Sequence, residues 1–239
     1  MAASNVKVLG AWPSPYTMRV RIALNLKNVD YEYLERNPER GPPELSELIH
    51  KTNPVHKMVP VLIHNNKPIC ESLIIVQYID EAFTSGPSIL PSDPYDRSVA
   101  RFWGAYIDDK WYSSLFGTLQ AKTEEEIKTT IEGLSTTFEL LEEAFEKISK
   151  GKDFFGGDTI GYIDIAFGTN LAWVRVFEKL NLVKLLDETK TPNLYAWSKK
   201  FCSVPAVKAG IFPETDKLLE FVKTLIAKYD GLLHHRENV

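Results

Sequence analysis

Apolar and polar positions along this chain fall into two regimes. Up to about residue 83, short apolar runs alternate with helical periods; beyond residue 94, only spacings of three and four recur. Val6 to Leu9 reads as a strand, stopped by Gly10 and Pro13-Ser14-Pro15. Met18, Ile22 and Leu26 recur every four positions, so Met18 to Lys27 reads as a helix. Pro15 suits the first turn of that helix, where its missing N–H costs nothing. Tyr31 to Leu34 predicts a second strand and Glu35 to Pro43 a charged, proline-rich loop. Glu44 to Lys51 predicts a short helix, stopped before Asn53-Pro54 because the residue before proline avoids the α region. Val61 to His64 and Lys67 to Cys70 flank Asn65-Asn66, a hairpin signal, since Asn tolerates positive φ. Ser72 then opens a buried helix through Ile79, with its oxygen as the expected N-cap. The order βαβαββα predicts a small mixed sheet with helices on its faces, an α/β unit.

Thr84 to Pro94 holds three prolines and a glycine in eleven residues and reads as a linker. After it, strand signals nearly vanish. Helices are expected over Tyr95 to Gln120, Glu124 to Lys150, Ile163 to Leu180, Thr191 to Phe201 and Glu214 to Tyr229. The second is amphipathic, with Ile127, Ile131, Leu134, Phe138, Leu141 and Phe145 on one stripe. The expected domains are therefore residues 1–83, α/β, and 95–239, all-α, joined by 84–94.

Composition narrows the function classes. The 239 residues are 44% hydrophobic and 25% charged with a net charge of −4, which excludes disorder. A pI near 5.8 and mixed charges argue against a general nucleic-acid binder. Cys70 and Cys202 form no disulfide framework and no CxxC pair, which predicts a reduced, cytosolic chain. No basic–apolar leader opens the sequence, Arg236 to Val239 is no recognised address, and no apolar run reaches membrane length.

Several residues could carry chemistry. Ser14 sits between a strand and a helix, where free helix N–H groups favour an anion; from spacing alone an ordinary turn serine is the default reading. No Gly-x-Ser-x-Gly elbow supports acyl transfer. At Val59-Pro60, propensity alone favours a trans bond. Glu71-Ser72 is either a helix cap or a grip for a ligand with a carboxylate and an amine. Gly156 to Gly161 reads as a turn rather than a nucleotide loop, for want of a βαβ context. The five histidines, His234-His235 included, lack metal-ligand spacing, so no metal is expected. Trp103, Tyr106, Trp111, Tyr112 and Phe116 form either core or the wall of an apolar pocket. Both cysteines read as buried apolar residues.

Taken together, Trp12-Pro13-Ser14-Pro15-Tyr16, Met18 to Leu24, Asn53 to Lys57, Val59 to Ile63, Pro68 to Ile74, Gln77-Tyr78-Ile79, Leu90 to Tyr95, Arg101-Phe102-Trp103 and Phe154 to Asp158 closely resemble tau-class glutathione transferases. The resemblance covers nearly the whole chain and implies a thioredoxin-like domain followed by an all-helical one. It implies a serine-type transferase that conjugates the glutathione thiolate to hydrophobic electrophiles in detoxification, with glutathione-dependent peroxidase activity as a second implied reaction. Glutathione would be a co-substrate, no cofactor would be bound permanently, and the protein would be a cytosolic homodimer. It also places residues. Ser14 falls on the catalytic serine, Pro60 on the cis-proline that lets the Val59 backbone pair with glutathione, and Glu71 and Ser72 on the γ-glutamyl grip. Asp108 would reach the γ-glutamyl amine in the neighbouring subunit. Trp12, Pro15 and Tyr16 would face Tyr112, Phe116 and Trp173 across the electrophile pocket.

Two positions depart from the family pattern: Leu45 and Met58 stand where it usually has lysines for the glycyl carboxylate, with Arg40, Lys51 or Lys57 as substitutes. A weakened glutathione grip follows, at ~1.5–3 kcal/mol per lost charge-assisted bond. The competing readings are a ligandin-like carrier of apolar ligands with low turnover and, less favoured for want of an added domain, a scaffold.

Overall fold

The computed structural model describes residues 5–37, 42–180, 182–209, 211–229 and 233; Arg40, His234-His235 and the terminal residues lie outside these. Strand β1 (Val6–Gly10) is followed by α1 (Pro15–Leu26), β2 (Glu32–Glu35), α2 (Pro43–Thr52), β3 (Val61–His64), β4 (Lys67–Cys70) and α3 (Ser72–Ala82). The four strands lie in the order β2-β1-β3-β4, with β1 parallel to β2 and antiparallel to β3. Register follows side-chain alternation. Val6, Val8 and Leu62 share one core with Met18, Val20, Ile75 and Val76 of α1 and α3. Leu9 and Val61 point the other way, against Ile49 of α2. Gly10 is needed at the end of β1, since a Cβ there would lie 2.3 Å from Thr17 Cγ2.

The rest of the described chain is helical: α4 (Pro94–Gln120), α5 (Glu124–Ser149), α6 (Tyr162–Gly168), α7 (Leu171–Lys179), α8 (Pro192–Ser203), α9 (Pro205–Lys208) and α10 (Thr215–Tyr229). Thr123 and Glu126 form a reciprocal capping box at the start of α5. The amphipathic stripe of α5 is buried at Ile127, Leu134, Phe138, Leu141 and Phe145, with Ile131 half-buried.

Three expectations are corrected. The helix read over Ile163 to Leu180 is two helices, α6 and α7, because Thr169 and Asn170 turn the chain between them; both are fully buried. The N-cap of α3 is Glu71, at φ 68 and ψ 115, and Ser72 is the first helical residue. Neither cysteine is fully buried.

The two regions are tied across their interface. The Asp80 carboxylate accepts the N–H groups of Ile89 and Leu90 at 2.9 Å each and pairs with Lys27 at 2.7 Å. Gln77 Nε2 donates to the Tyr162 hydroxyl at 3.2 Å. Within the helical region, Asp164 is fully buried and accepts from Phe155, Gly156 and Gly161 N–H and from Trp197 Nε1, at 2.7 to 2.9 Å.

Candidate functional site

Ser14 is the N-cap of α1, with φ −80 and ψ 115. Its Oγ accepts the Thr17 N–H at 3.2 Å, and its own N–H donates to Ala11 O at 3.1 Å. Thr17 Oγ1 in turn accepts the Ala11 N–H at 3.2 Å, so the turn 11–17 is braced from both ends. With a lone pair taken by the helix, the Ser14 hydroxyl is left as a donor at the positive end of α1. A hydroxyl that accepts one hydrogen bond donates the next more strongly. The turn reading and the anion-site reading of Ser14 are thus one geometry.

The Val59–Pro60 peptide is cis, against the trans form that propensity favours. Among the described residues, neither the N–H nor the C=O of Val59 enters a backbone hydrogen bond, so both can meet an extended ligand backbone. Asn53 organises the approach: its Nδ2 donates to Met58 O at 3.1 Å and its Oδ1 accepts the His56 N–H at 3.2 Å. Lys57 sits in this turn with φ 55 and is exposed; Met58 is exposed beside it. Leu45 packs instead against the Leu9–Ile49–Val61 cluster.

Glu71 holds a left-handed conformation with no side-chain cap bond, and its carboxylate lies 3.8 Å from His56 Nε2. A non-glycine residue held there costs of order 1–3 kcal/mol, a strain that clusters at ligand sites. The Ser72 hydroxyl accepts from Arg19 Nη1 at 3.2 Å rather than capping the helix.

Arg19 is a residue that sequence reasoning misses. Beside Arg21 on α1, its default place is the solvated face, yet it is 0% exposed. Its guanidinium donates to Ser72, donates to Ala166 O at 2.7 Å, lies over the Tyr16 ring at 4.9 Å and sits 2.7 Å from Asp108. The Asp108 contact is coulombic rather than an aligned hydrogen bond. Tyr16, Ser72 and Asp108 are therefore gathered around one buried cation, and Asp108 is engaged within its own chain.

The aromatic residues split. Trp111 is core; Tyr112 is exposed and packs at a tilt on half-buried Phe116 at 4.6 Å, and Phe116 meets Tyr229 of α10 edge-on at 6.2 Å. Pro15 is buried and Trp12 half-buried, with Phe221 edge-on to Trp12 at 5.4 Å. Trp173 is nearly buried, and its indole N–H donates to Pro13 O at 2.9 Å, so it braces the Ser14 turn. A cavity of about 930 Å³ lies elsewhere, among the linker, the start of α4 and the end of α5; Trp103 and Gly156-Gly157 line it, and none of the residues placed by the family resemblance does.

Electrostatics limits the nucleophile. Burial pushes the Tyr16 phenol up to about 12, so it stays protonated at neutral pH. Burial, then Glu71, raises the Cys70 thiol; burial raises Cys202 despite Arg175. Neither protein sulfur is a thiolate at neutral pH. Among the described residues, no His, Cys, Asp and Glu cluster could hold a metal ion.

Residues 4–81 match the glutathione S-transferase N-terminal domain and residues 100–205 its C-terminal domain. The chain is 56% identical over 229 residues to glutathione S-transferase U17 of Arabidopsis thaliana, covering 95% of this chain and 99% of that one. It superposes on the tau-class glutathione S-transferase of mango, Mangifera indica, with TM-score 0.86 and 59% identity, over 92% of this chain and 98% of that one. It also superposes on rice glutathione transferase 1, solved in complex with glutathione, with TM-score 0.83 and 30% identity, over 96% and 99%.

Proposed function

The chain belongs to the glutathione transferase family, in its tau class, and from that premise we propose that Ser14 holds the sulfur of bound glutathione as a thiolate. The activity is glutathione transfer, on a thioredoxin-like domain followed by an all-helical one; the relatives are named transferases, which disfavours the carrier reading. We place the division at 1–83, 84–94 and 95–239.

The observation that carries the proposal is the Ser14 hydroxyl, oriented by Thr17 and free to donate at a helix N-terminus. An unassisted thiol, of pKa about 8.5, is only a few per cent ionised at neutral pH. A hydrogen bond to the sulfur and the positive helix end both favour the charged form. The extended tripeptide would pair its cysteinyl backbone with Val59, and its γ-glutamyl carboxylate would meet the start of α3 at Ser72, with its amine at Glu71. Arg19 keeps Ser72 in place. Lys57 is the cation we assign to the glycyl end. The thiolate then attacks an electrophilic carbon lying between Trp12, Tyr16 and the Tyr112–Phe116 pair, or a peroxide oxygen, and its leaving group departs with the bonding electrons.

We also infer a cytosolic homodimer; no described helix is long and apolar enough to cross a membrane. Val55 and Phe102, 81% and 61% exposed, leave apolar surface for a second copy to cover. Light scattering at twice the 27.2 kDa chain mass supports the dimer, and a single-chain mass contradicts it.

The test of the reaction is an assay with glutathione and a chlorodinitrobenzene. Ser14→Ala is expected to lower kcat by about 10²-fold or more with little change in glutathione KM. Activity surviving the substitution sinks the serine mechanism.

A further inference from the structure

We propose that Lys217 is a specificity-determining residue of the electrophile pocket, selecting electrophiles that carry an anionic group. This rests on the reading that Trp12 lines the pocket and Ser14 activates glutathione. Lys217 lies in the first turn of α10, with Nζ 4.5 Å from the centroid of the Trp12 ring. Phe221, one turn on and so on the same helix face, meets the same indole edge-on at 5.4 Å. The Trp12 indole is thus held by two side chains of α10, and the next residue, Pro13, is held by the Trp173 indole at 2.9 Å. These contacts hold the Trp12 indole, and the ammonium resting on it, beside the Ser14 turn, since two residues of backbone span at most about 7 Å. In the proposal, the carboxylate of an aromatic acid whose reacting carbon faces Ser14 meets this ammonium on the Trp12 wall.

The charge of Lys217 is not cancelled locally. Its acidic neighbours on α10 are committed elsewhere: Asp216 pairs with Lys179, and Glu220 lies 3.7 Å from Lys223 Nζ. Among the described residues, no carboxylate lies within ion-pairing distance of Lys217. A cation resting on an aromatic face keeps that contact while its remaining donors meet an anion. The chain as a whole is acidic, at −4, but that field is screened beyond about 10 Å. Local charge at the pocket then decides which electrophiles are favoured. Lys217 is invisible in the sequence for this role, since an exposed lysine early in an amphipathic helix reads as solvated.

The experiment uses a matched pair: chloronitrobenzoate and its neutral methyl ester, each conjugated with loss of chloride as the carbon–sulfur bond forms. KM for both compounds and for glutathione is measured in the wild type, Lys217→Met and Lys217→Arg. Methionine keeps an apolar stem on the indole without the charge. It is expected to raise KM for the acid about threefold to tenfold and to leave the ester and glutathione values unchanged. Arginine is expected to restore the acid. Acid and ester values that move together, or that both stay fixed, overturn the proposal alone. Wild-type turnover of neither compound overturns the reading of the site on which it rests, and the proposal with it.

Discussion

At the scale of single residues, the proposed site draws on groups that serve the backbone and are assigned to the ligand at once. The oxygen that caps α1 at Ser14 is the same oxygen whose proton is left to donate. The left-handed Glu71 puts a carboxylate outside a helix start whose first hydroxyl is already held by Arg19. The proposed glycyl end differs, because Leu45 serves the hydrophobic cluster under α2 and Met58 is exposed without charge. Met58→Lys is expected to lower the glutathione KM by about an order of magnitude with kcat little changed. A glutathione KM that does not move contradicts the assignment of a missing cation to this position.

At the scale of elements, the turn before α6 hangs on one carboxylate. Asp164 satisfies three backbone N–H groups and the Trp197 indole in a fully buried place. Asp164→Ala leaves those donors unpaired and is expected to cost at least about 3 kcal/mol, read as a lower urea midpoint; an unchanged midpoint contradicts that. The hairpin β3–β4 was legible in the sequence to the residue, because an Asn-Asn turn between two apolar runs admits few alternatives. The break between α6 and α7 was not, because Thr169 and Asn170 continue a helical pattern and only tertiary packing buries them. The cis bond at Pro60 runs against local propensity, and only the family resemblance anticipated it. Ser14, Glu71 and Ser72 were readable as candidates from their places at helix starts. Arg19 was not, since nothing local marks an arginine for burial against three other helices.

At the scale of the whole molecule, the linker is fastened by charge. Burial alone would raise the Asp80 carboxyl, but the Lys27 ammonium and the Ile89 and Leu90 N–H groups outweigh it and hold it below its usual value. A carboxyl lowered in the folded state contributes stability above its ordinary value of about 3.9 and loses it as pH falls through the folded value. Stability to urea is expected to drop below about pH 4, and less steeply in Asp80→Asn. Equal slopes in both proteins contradict this. Lys27 caps the end of α1, Asp80 lies on α3 and the linker approaches α4, so that loss loosens the seat of α1, on which Ser14 depends.

The central claim is that the Ser14 hydroxyl stabilises the glutathione thiolate. Its most direct test is an ultraviolet titration of the thiolate of glutathione bound to the wild type and to Ser14→Ala, both saturated. The wild-type complex is expected to titrate well below the free-thiol value of about 8.5, and the Ser14→Ala complex to return toward it. The same titration midpoint in both complexes would contradict the account.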